Sequence, residues 1–226
     1  MRMKLLDTIL LSLLLSLAAV SFAQDQPIPV EQEPHHKVVM KNEWIEVMRV
    51  HLAAGERTLY HTHGHDRAAV ELSNTSITQQ KVGDVECAAN PIKPGDISIS
   101  ATPPGGYSHR VHNVGSNLFD VLDVEFLQHP DKPSDVVVGP VVGENPSARA
   151  YRWELAPGAK SPEHTHHRPY LVVAATPMQL KMTAPDGQSR TETVKAGDFH
   201  WVDAQVTHTL ANEGTTPGTI VEFELR

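Results

Sequence analysis

Residues 47–63 read VMRVHLAAGERTLYHTH, and residues 150–166 read AYRWELAPGAKSPEHTH. In both stretches a short segment leads to a glycine, five residues follow, and a His-Thr-His triplet closes the match. The two copies are offset by 103 residues. A single His-x-His motif would mean little, because short polar motifs occur by chance in loops. The extended match instead indicates an internal duplication.

Further landmarks repeat in the same order along the chain. They are KPGD at 93–96 with KAGD at 195–198, and His109 and Asn113 with His208 and Asn212. Each half also closes with an acid-flanked apolar segment, at 123–127 and at 221–225. The offset drifts only from 103 to 99 residues. We therefore predict two copies of one domain of about 90–100 residues.

The composition favours short strands joined by frequent turns. Of 226 residues, 14 are Gly and 17 are Pro, and no helical period longer than two turns stands out. Ile97 and Ile99 alternate with Ser98 and Ser100, which is the period of a strand with one buried face. We therefore expect an all-β sandwich or small barrel in each half. The formal net charge of −8 argues against nucleic acid as a partner.

The N-terminus has the pattern of a secretory signal. A basic start at 1–4 precedes an apolar run at 9–20, and Ser21-Phe22-Ala23 offers small residues at the −3 and −1 positions. The alternatives are a membrane anchor or a buried helix, for which the apolar run is short. We expect cleavage before Gln24, a secreted or periplasmic protein, and no stable membrane insertion afterwards.

The domain boundaries follow from the repeat and from the distribution of proline and glycine. We predict a signal peptide at 1–23, an N-terminal extension at 24–36, a first domain at 37–127, a linker at 128–147 and a second domain at 148–226. Within the linker, the run at 136–138 is a candidate for pairing onto a sheet. Cys87, the single cysteine, cannot form an intramolecular disulfide, and we expect it to be a small packed residue.

The repeated histidines form two candidate ligand sets. Because side chains alternate along a strand, the two histidines of each His-Thr-His triplet share one face. A third histidine from a later strand would complete three ligands on one side of a metal ion and leave other positions open. The predicted metal ligands are His61, His63 and His109 in the first half, and His164, His166 and His208 in the second.

These motifs resemble those of the cupins, and the duplication resembles a two-domain cupin, or bicupin. The family's first motif has a glycine, five residues and His-x-His, as in 55–63 and 158–166. Its second motif is matched by PGGYSH at 104–109 followed by Asn113, while the second copy keeps only the spacing. The resemblance implies two tandem double-stranded β-helix (jelly-roll) barrels with a divalent metal, Fe, Mn, Cu, Ni or Zn.

One departure concerns the glutamate that usually joins the three histidines in this family. Its expected positions, 67 or 68 and 170 or 171, hold Arg67, Ala68, Tyr170 and Leu171. Asp66 and Glu71 lie too early and too late to be assigned from spacing. A site of three neutral imidazoles would keep the full charge of the metal, which favours an anionic or enolate-like ligand or a bound hydroxide.

Residues near the triplets are candidates for substrate binding. We select Arg67, which could pair with a carboxylate, and the aromatic residues Tyr107, Tyr170 and Trp201. The alternatives are a rim ion pair for the arginine and ordinary core packing for the aromatic residues. Six histidines outside both triplets are interpreted as surface or structural residues: His35, His36, His51, His112, His129 and His200.

Two functions are compatible with these features. The first is a metal-dependent enzyme that activates O₂ or polarises a carbonyl of a small oxygen-containing substrate; resemblance to the quercetin-dioxygenase-like bicupins favours the dioxygenase version. The second is a non-catalytic module that binds a small molecule, a sugar or a metal ion. Other chemistries lack a motif, since the sequence has no Gly-x-Ser-x-Gly, phosphate loop or Cys-x-x-Cys. A homodimer is compatible with either function.

Overall fold

The computed structural model describes residues 26–203 and 205–226, and the regular secondary structure of this part of the chain is almost entirely β-strand. The predicted signal peptide lies outside the described residues. Within the described ranges, no helix is long and apolar enough to cross a membrane. The prediction of an all-β protein is confirmed.

The described residues form strands that fall into two consecutive groups. The first group is β1 (Ile28–Pro29), β2 (His36–Lys41), β3 (Ile45–Leu52), β4 (His61–His63), β5 (Asp66–Glu71), β6 (Thr75–Lys81), β7 (Asn90–Ile92), β8 (Ile97–Ser100), β9 (Tyr107–Asn113) and β10 (Phe119–Phe126). The second group is β11 (Val141–Glu144), β12 (Ala148–Leu155), β13 (His164–His166), β14 (Tyr170–Ala174), β15 (Met178–Thr183), β16 (Ser189–Val194), β17 (Phe199–Val202), β18 (Val206–Asn212) and β19 (Gly218–Leu225). A 3-10 turn (Val30–Gln32) separates β1 from β2.

Each group folds into two sheets that enclose a core of their own. The first barrel has the strand orders β1-β4-β9-β6-β7 and β2-β3-β10-β5-β8. The second has β13-β18-β15-β16 and β11-β12-β19-β14-β17, so the two barrels repeat the same order except for β1. Apolar side chains from both sheets meet inside each barrel. The predicted pair of tandem jelly-roll barrels is confirmed.

Alternation along the last strand of each barrel separates two buried faces. On β10, Leu122 and Val124 belong to a core cluster that contains residues of both barrels, whereas Val121 belongs to the interior of the first barrel. On β19, Val221 and Phe223 belong to the shared cluster and Ile220 to the interior of the second barrel. Because side chains alternate, Asp123 and Glu125 of β10 and Glu222 and Glu224 of β19 point into the barrels.

The two barrels pack back to back through this shared cluster. The rings of Phe126 and Phe223 meet across the junction at 6.3 Å between centroids and 72° between planes. Trp201 also packs against the shared cluster. Apolar contact along a whole sheet face of each barrel holds the two halves together.

The segment predicted as a linker contains a strand at a different place from the one expected. Val136–Val138 forms no strand; instead β11 pairs with β12 and extends the sheet of the second barrel. Asn145, just after β11, donates to the backbone oxygen of Ser100 in the first barrel over 3.1 Å. Its Oδ1 accepts from Ser147 N at 2.9 Å. The domain boundaries themselves stay a prediction.

The N-terminal extension joins the first barrel. Ile28 in β1 is the parallel partner of His61, and the second barrel has no such strand within its described residues. Cys87 is exposed, so the expectation that it is packed is wrong. It lies in a loop between β6 and β7, where its Sγ accepts a hydrogen bond from Gln79 N at 3.0 Å and the side chain faces solvent.

Candidate metal centres

The second barrel brings its three predicted histidines together with a glutamate. His164 and His166 share one face of β13, and His208 on β18 is the direct cross-strand partner of His164. Glu222 reaches them from β19, and all four residues are buried. One donor atom of each lies within 4.8 Å of the others. This set of three imidazoles and one carboxylate suits a divalent transition metal.

Hydrogen bonds and stacking fix the orientation of these side chains. The backbone oxygen of Pro162 lies 3.0 Å from His164 Nδ1, so His164 Nε2 faces inward, 2.9 Å from His208 Nε2. Trp153 stacks on His164 at 4.7 Å, and Tyr170 on His166 at 3.8 Å. An acceptor on the outer nitrogen of a histidine is the usual way to aim the inner one at a metal.

Electrostatics in the second barrel favour a cation at the centre. Burial raises the pKa of Glu222, but the imidazoles of His164, His166 and His208, whose Nε2 atoms lie 3.8, 3.4 and 3.7 Å from its carboxylate, outweigh burial and hold the pKa well below its usual value. Burial lowers the pKa of His166, yet Glu222 and Glu224 outweigh it and raise the pKa to about 9. The carboxylate stays ionised, and a proton takes up the positive charge that a metal would supply.

The first barrel has the same arrangement of strands with a different donor set. His61 and His63 on β4 face His109 on β9, and the Nε2 atoms of His63 and His109 are 3.2 Å apart. Asp123 occupies the position of Glu222, but its shorter side chain approaches only His63, at 3.8 Å. The donor nitrogens that lie within 4.8 Å of one another belong to His61, His63 and His36.

Burial lowers the pKa of two histidines in the first barrel, His61 and His109. It lowers the pKa of His61 to about 3, with a further lowering from His36 and His63. It also lowers the pKa of His109 strongly, with contributions from His61 and Arg67. Neutral imidazoles are the form that binds metals. In the described part of the chain, His61 Nε2 and Asp123 Oδ1 find no hydrogen-bond partner.

The two acids that spacing left unassigned have other roles. Asp66 accepts hydrogen bonds from Thr102 N and Ser147 Oγ, both at 2.8 Å, and links β5 to the loop before β12. Burial, followed by the charge of Asp123, raises the pKa of Glu71 to about 8. Glu71 is therefore protonated at neutral pH and unsuited to ligate a metal in that form.

The predicted substrate-binding residues fall in different places. The Arg67 guanidinium lies 5.0 Å from the centroid of the Tyr107 ring, which in turn lies 4.8 Å from His109. Tyr170 covers His166 in the second barrel. Trp201 requires a correction: it packs against the core shared by the barrels and donates to Asp203 Oδ1 at 2.7 Å, away from both histidine clusters. Side-chain alternation along the strand places Trp201 on the face that meets the junction between the two barrels.

The cavities beside the two clusters differ in size. In the second barrel a cavity of about 460 Å³ is lined by Tyr170, His208 and mainly apolar side chains. In the first barrel the cavity that touches His61 and His109 measures about 40 Å³. A wider groove of about 500 Å³ lies next to it and shares Glu71, but no histidine lines that groove. Among these three cavities, formed by residues 26–203 and 205–226, the one beside the second cluster both touches a histidine of a cluster and has room for an organic molecule.

Two site residues were missed by sequence reasoning. Glu222 was interpreted as an acid flanking an apolar segment, and His36 as a surface or structural residue; both are buried in histidine clusters. The expectation of three neutral ligands is therefore wrong for the second barrel. The sequence carried no clear signal for Glu222, since alternation with Val221 and Phe223 alone would place the acid on a solvent face. The apolar face of this strand is instead buried against the other barrel, which turns Glu222 to the interior. His36 lies outside the repeat.

Comparisons with known proteins agree with this architecture. A family model described as "Cupin domain" matches residues 151–224. The curated protein named β-alanine degradation protein BauB, from Pseudomonas aeruginosa, is 30% identical over 83 residues, which are 37% of this chain and 86% of that protein.

Similar solved structures show the same fold at low sequence identity. AerE from Microcystis aeruginosa matches with a TM-score of 0.62 and 13% identity, over 88% of this chain and 98% of that one. A salicylate 1,2-dioxygenase variant from Pseudoaminobacter salicylatoxidans gives 0.57 and 13%, over 94% and 81%. A Bacillus subtilis oxalate decarboxylase variant gives 0.54 and 15%, over 84% and 71%.

Proposed function

Because this chain belongs to the cupin superfamily, we propose that it is a metal-dependent bicupin whose second barrel transforms a small oxygen-containing organic molecule. One observation carries the proposal. The buried donor set of His164, His166, His208 and Glu222 borders a cavity of about 460 Å³, and His208 belongs to both. A substrate in that cavity would lie against the metal centre.

The residues of the second barrel fit a divalent metal. Neither ring nitrogen of His166 nor Oε1 of Glu222 has a hydrogen-bond partner among the described residues, and buried polar atoms rarely stay unpaired without a reason. The Nε2 atoms of His164 and His208, 2.9 Å apart, both face the centre. Glu222 would lower the net charge of a divalent ion from +2 to +1. Such a metal, when bound, supplies Lewis-acid or oxygen-activating chemistry.

The cavity wall indicates the class of substrate. Its lining is mainly apolar and includes Leu180, Phe199 and Ile220. Charged and polar groups of both signs also line it: Arg190, His200, Glu192 and Asp198. We therefore propose a molecule with an apolar body, such as a ring or short alkyl chain, and oxygen atoms directed at His208. The relative named for β-alanine degradation supports a small organic acid. The likeness to dioxygenase and decarboxylase structures supports the fold alone.

A matched pair of variants tests this function. Glu222→Gln and Asp123→Asn remove the corresponding charge from the second and the first barrel. The protein is purified without chelator, and its metal content and oxygen uptake are measured with small diols, enols and carboxylates. We expect Glu222→Gln to lose the metal of the second barrel and all turnover, and Asp123→Asn to keep both.

The outcomes separate the candidate functions. Oxygen uptake supports the dioxygenase-like version, and metal-dependent conversion without oxygen uptake supports carbonyl polarisation. Binding of metal and ligand without turnover would identify a binding module. A second barrel that takes up no divalent metal under any condition would overturn the proposal.

A further inference from the structure

His36 is placed to take part in the first histidine cluster. It begins β2, only 6% of its surface is exposed, and its ring centroid lies 4.4 Å from that of His61 and 6.2 Å from that of His63. Candidate donor atoms of these three residues lie within 4.8 Å of one another. His36 comes from the segment before the repeated domain, so no histidine of the duplicated motif corresponds to it.

Three rings of this cluster are held from outside by their Nδ1 atoms. His36 Nδ1 lies 2.7 Å from Glu33 Oε2, and His61 Nδ1 lies 2.9 Å from the backbone oxygen of Leu59. His63 Nδ1 lies 3.2 Å from Glu125 Oε1. An acceptor at Nδ1 fixes the hydrogen there and leaves the Nε2 lone pair facing inward. Metal-binding histidines are oriented in this way.

Glu33 connects His36 to the strand that carries His61. Its buried carboxylate accepts hydrogen bonds from the backbone nitrogens of His35 at 2.8 Å, His36 at 3.2 Å and Leu59 at 3.1 Å. Leu59 precedes His61 by two residues. One carboxylate thus sets the positions of both rings, as a support outside the ligand set would.

In the second barrel, a tryptophan occupies the space that corresponds to that of His36 in the first. His36 pairs with Val50 on β3, and the repeat places Trp153 at the position of Val50. Trp153 stacks on His164 at 4.7 Å, much as His36 approaches His61 in the first barrel. The larger Trp153 therefore accompanies Glu222, whereas the smaller Val50 accompanies the shorter Asp123 and leaves room for His36.

We infer that His36 is a metal ligand and forms a centre in the first barrel with His61 and His63, to which the adjacent His109, 3.2 Å from His63 between Nε2 atoms, adds a fourth imidazole. Four neutral ligands leave the full charge of a divalent ion, and imidazole favours Zn²⁺, Cu²⁺, Ni²⁺ or Co²⁺ over Mg²⁺ or Mn²⁺. The adjacent cavity of about 40 Å³ has room for an ion or water rather than an organic substrate. This site is separate from the centre proposed to act on substrate.

Cobalt binding tests the inference on the full chain. The parent carries His164→Ala and His166→Ala, so that the second barrel keeps only two of its four donors, His208 and Glu222, and Co²⁺ is titrated while visible absorption is recorded. We expect the parent to bind Co²⁺, and His36→Gln to weaken binding by about tenfold or more and change the cobalt spectrum. The neighbouring His35→Gln serves as the control and should leave both unchanged.

A replacement ligand tests coordination directly. His36→Cys, made in a Cys87→Ser background, should give a sulfur-to-cobalt charge-transfer band that the parent lacks, because a thiolate at this position would bind the ion. Circular dichroism of each metal-free variant verifies that it folds. The inference is overturned if the parent binds no Co²⁺, or if His36→Gln retains the parent's affinity and spectrum and His36→Cys gives no band.

A separate measurement distinguishes failure of the proposed function from failure of the inference about His36. Its metal is measured in a chain carrying His61→Ala and His63→Ala, in which only the second barrel retains its ligand set. Binding in the first barrel with none in the second would leave the role of His36 standing and remove the proposed catalytic centre.

Discussion

Trp153 donates its indole N–H to Oε2 of Glu222 over 2.6 Å, inside the second barrel. The same ring stacks on His164, so one side chain supports two members of the candidate metal centre. In the first barrel the corresponding positions hold Val50 and Asp123, neither of which can reproduce these contacts. This difference gives two barrels of the same topology different donor sets.

Trp153→Phe should keep the stacking but remove the hydrogen bond. A hydrogen bond to a buried charged group contributes about 1.5–3 kcal/mol, so we expect a loss of that size in the metal-free protein. Because Glu222 also loses its orientation, metal affinity of the second barrel should fall by about 10–100-fold. Competition with a chelator measures the affinity, and urea unfolding measures the stability.

Trp201→Phe is the matched control for this change. Its indole also donates to a carboxylate, that of Asp203, but away from the histidines. Trp201→Phe should therefore leave the metal affinity of the second barrel unchanged. Equal affinities for Trp153→Phe and Trp201→Phe would contradict a supporting role for Trp153.

Glu71 should make stability depend on pH. Its pKa is about 8 in the folded chain against an ordinary 4.5, so the folded state holds a proton that the unfolded state releases. This stabilisation is fully present below pH 4.5 and is lost as the pH rises through 8. Each pKa unit corresponds to about 1.4 kcal/mol, so the contribution of Glu71 to the stability of the metal-free protein should fall by a few kcal/mol between pH 5 and pH 8. The lowered pKa values of His61 and His109 act in the opposite direction, so Glu71 is tested by comparison with a variant rather than from the parent alone.

Glu71→Gln removes this titration and leaves those of the other groups, so the difference between the urea midpoints of variant and parent should change with pH. Relative to the parent, the variant should gain stability at pH 8 compared with pH 5. The exposed Glu43 supplies the control, Glu43→Gln, for which the profile should follow the parent. A Glu71→Gln profile parallel to that of the parent would show that the carboxyl is ionised in both states.

The repeated motifs predicted the histidine geometry because the relevant contacts lie within regular ladders. His61 and His109, and likewise His164 and His208, are direct cross-strand partners, so period-two alternation and the repeat together suffice to place them on one face. The strand Tyr170–Ala174 was likewise marked by its flanking proline and its β-forming residues. For these residues, the position predicted from the local sequence pattern agrees with the position in the folded barrel.

Glu222 and His36 were missed because their positions depend on contacts between distant elements. Glu222 reaches the histidines from the opposite sheet, and its distance to them depends on how the two sheets pack rather than on sequence spacing. His36 depends on Glu33 and on the way the N-terminal segment pairs beside β4. The placement of Trp201 also depends on distant contacts, because the packing of the second barrel on the first decides which face of its partly exposed strand meets the junction.

Export should remove the first 23 residues. The small residues Ser21 and Ala23 fit the −3 and −1 positions that signal peptidase accepts. We expect the chain exported from a bacterial cytoplasm to begin at Gln24, as measured by intact mass. Ala23→Leu should retain the leader. An exported wild-type chain of full mass would contradict cleavage at this position.

Phe126 and Phe119 lie on opposite faces of β10 and offer a test of how the barrels depend on each other. Both are buried, but Phe126 packs at the junction and Phe119 inside the first barrel. Each truncation to alanine should cost about 3–5 kcal/mol. Because Phe126 joins the two folding units, Phe126→Ala should separate calorimetric unfolding into two transitions. Phe119→Ala should lower the melting temperature while the barrels still unfold together, since their shared cluster is intact. Two transitions in the parent itself would show that the junction does not couple the barrels.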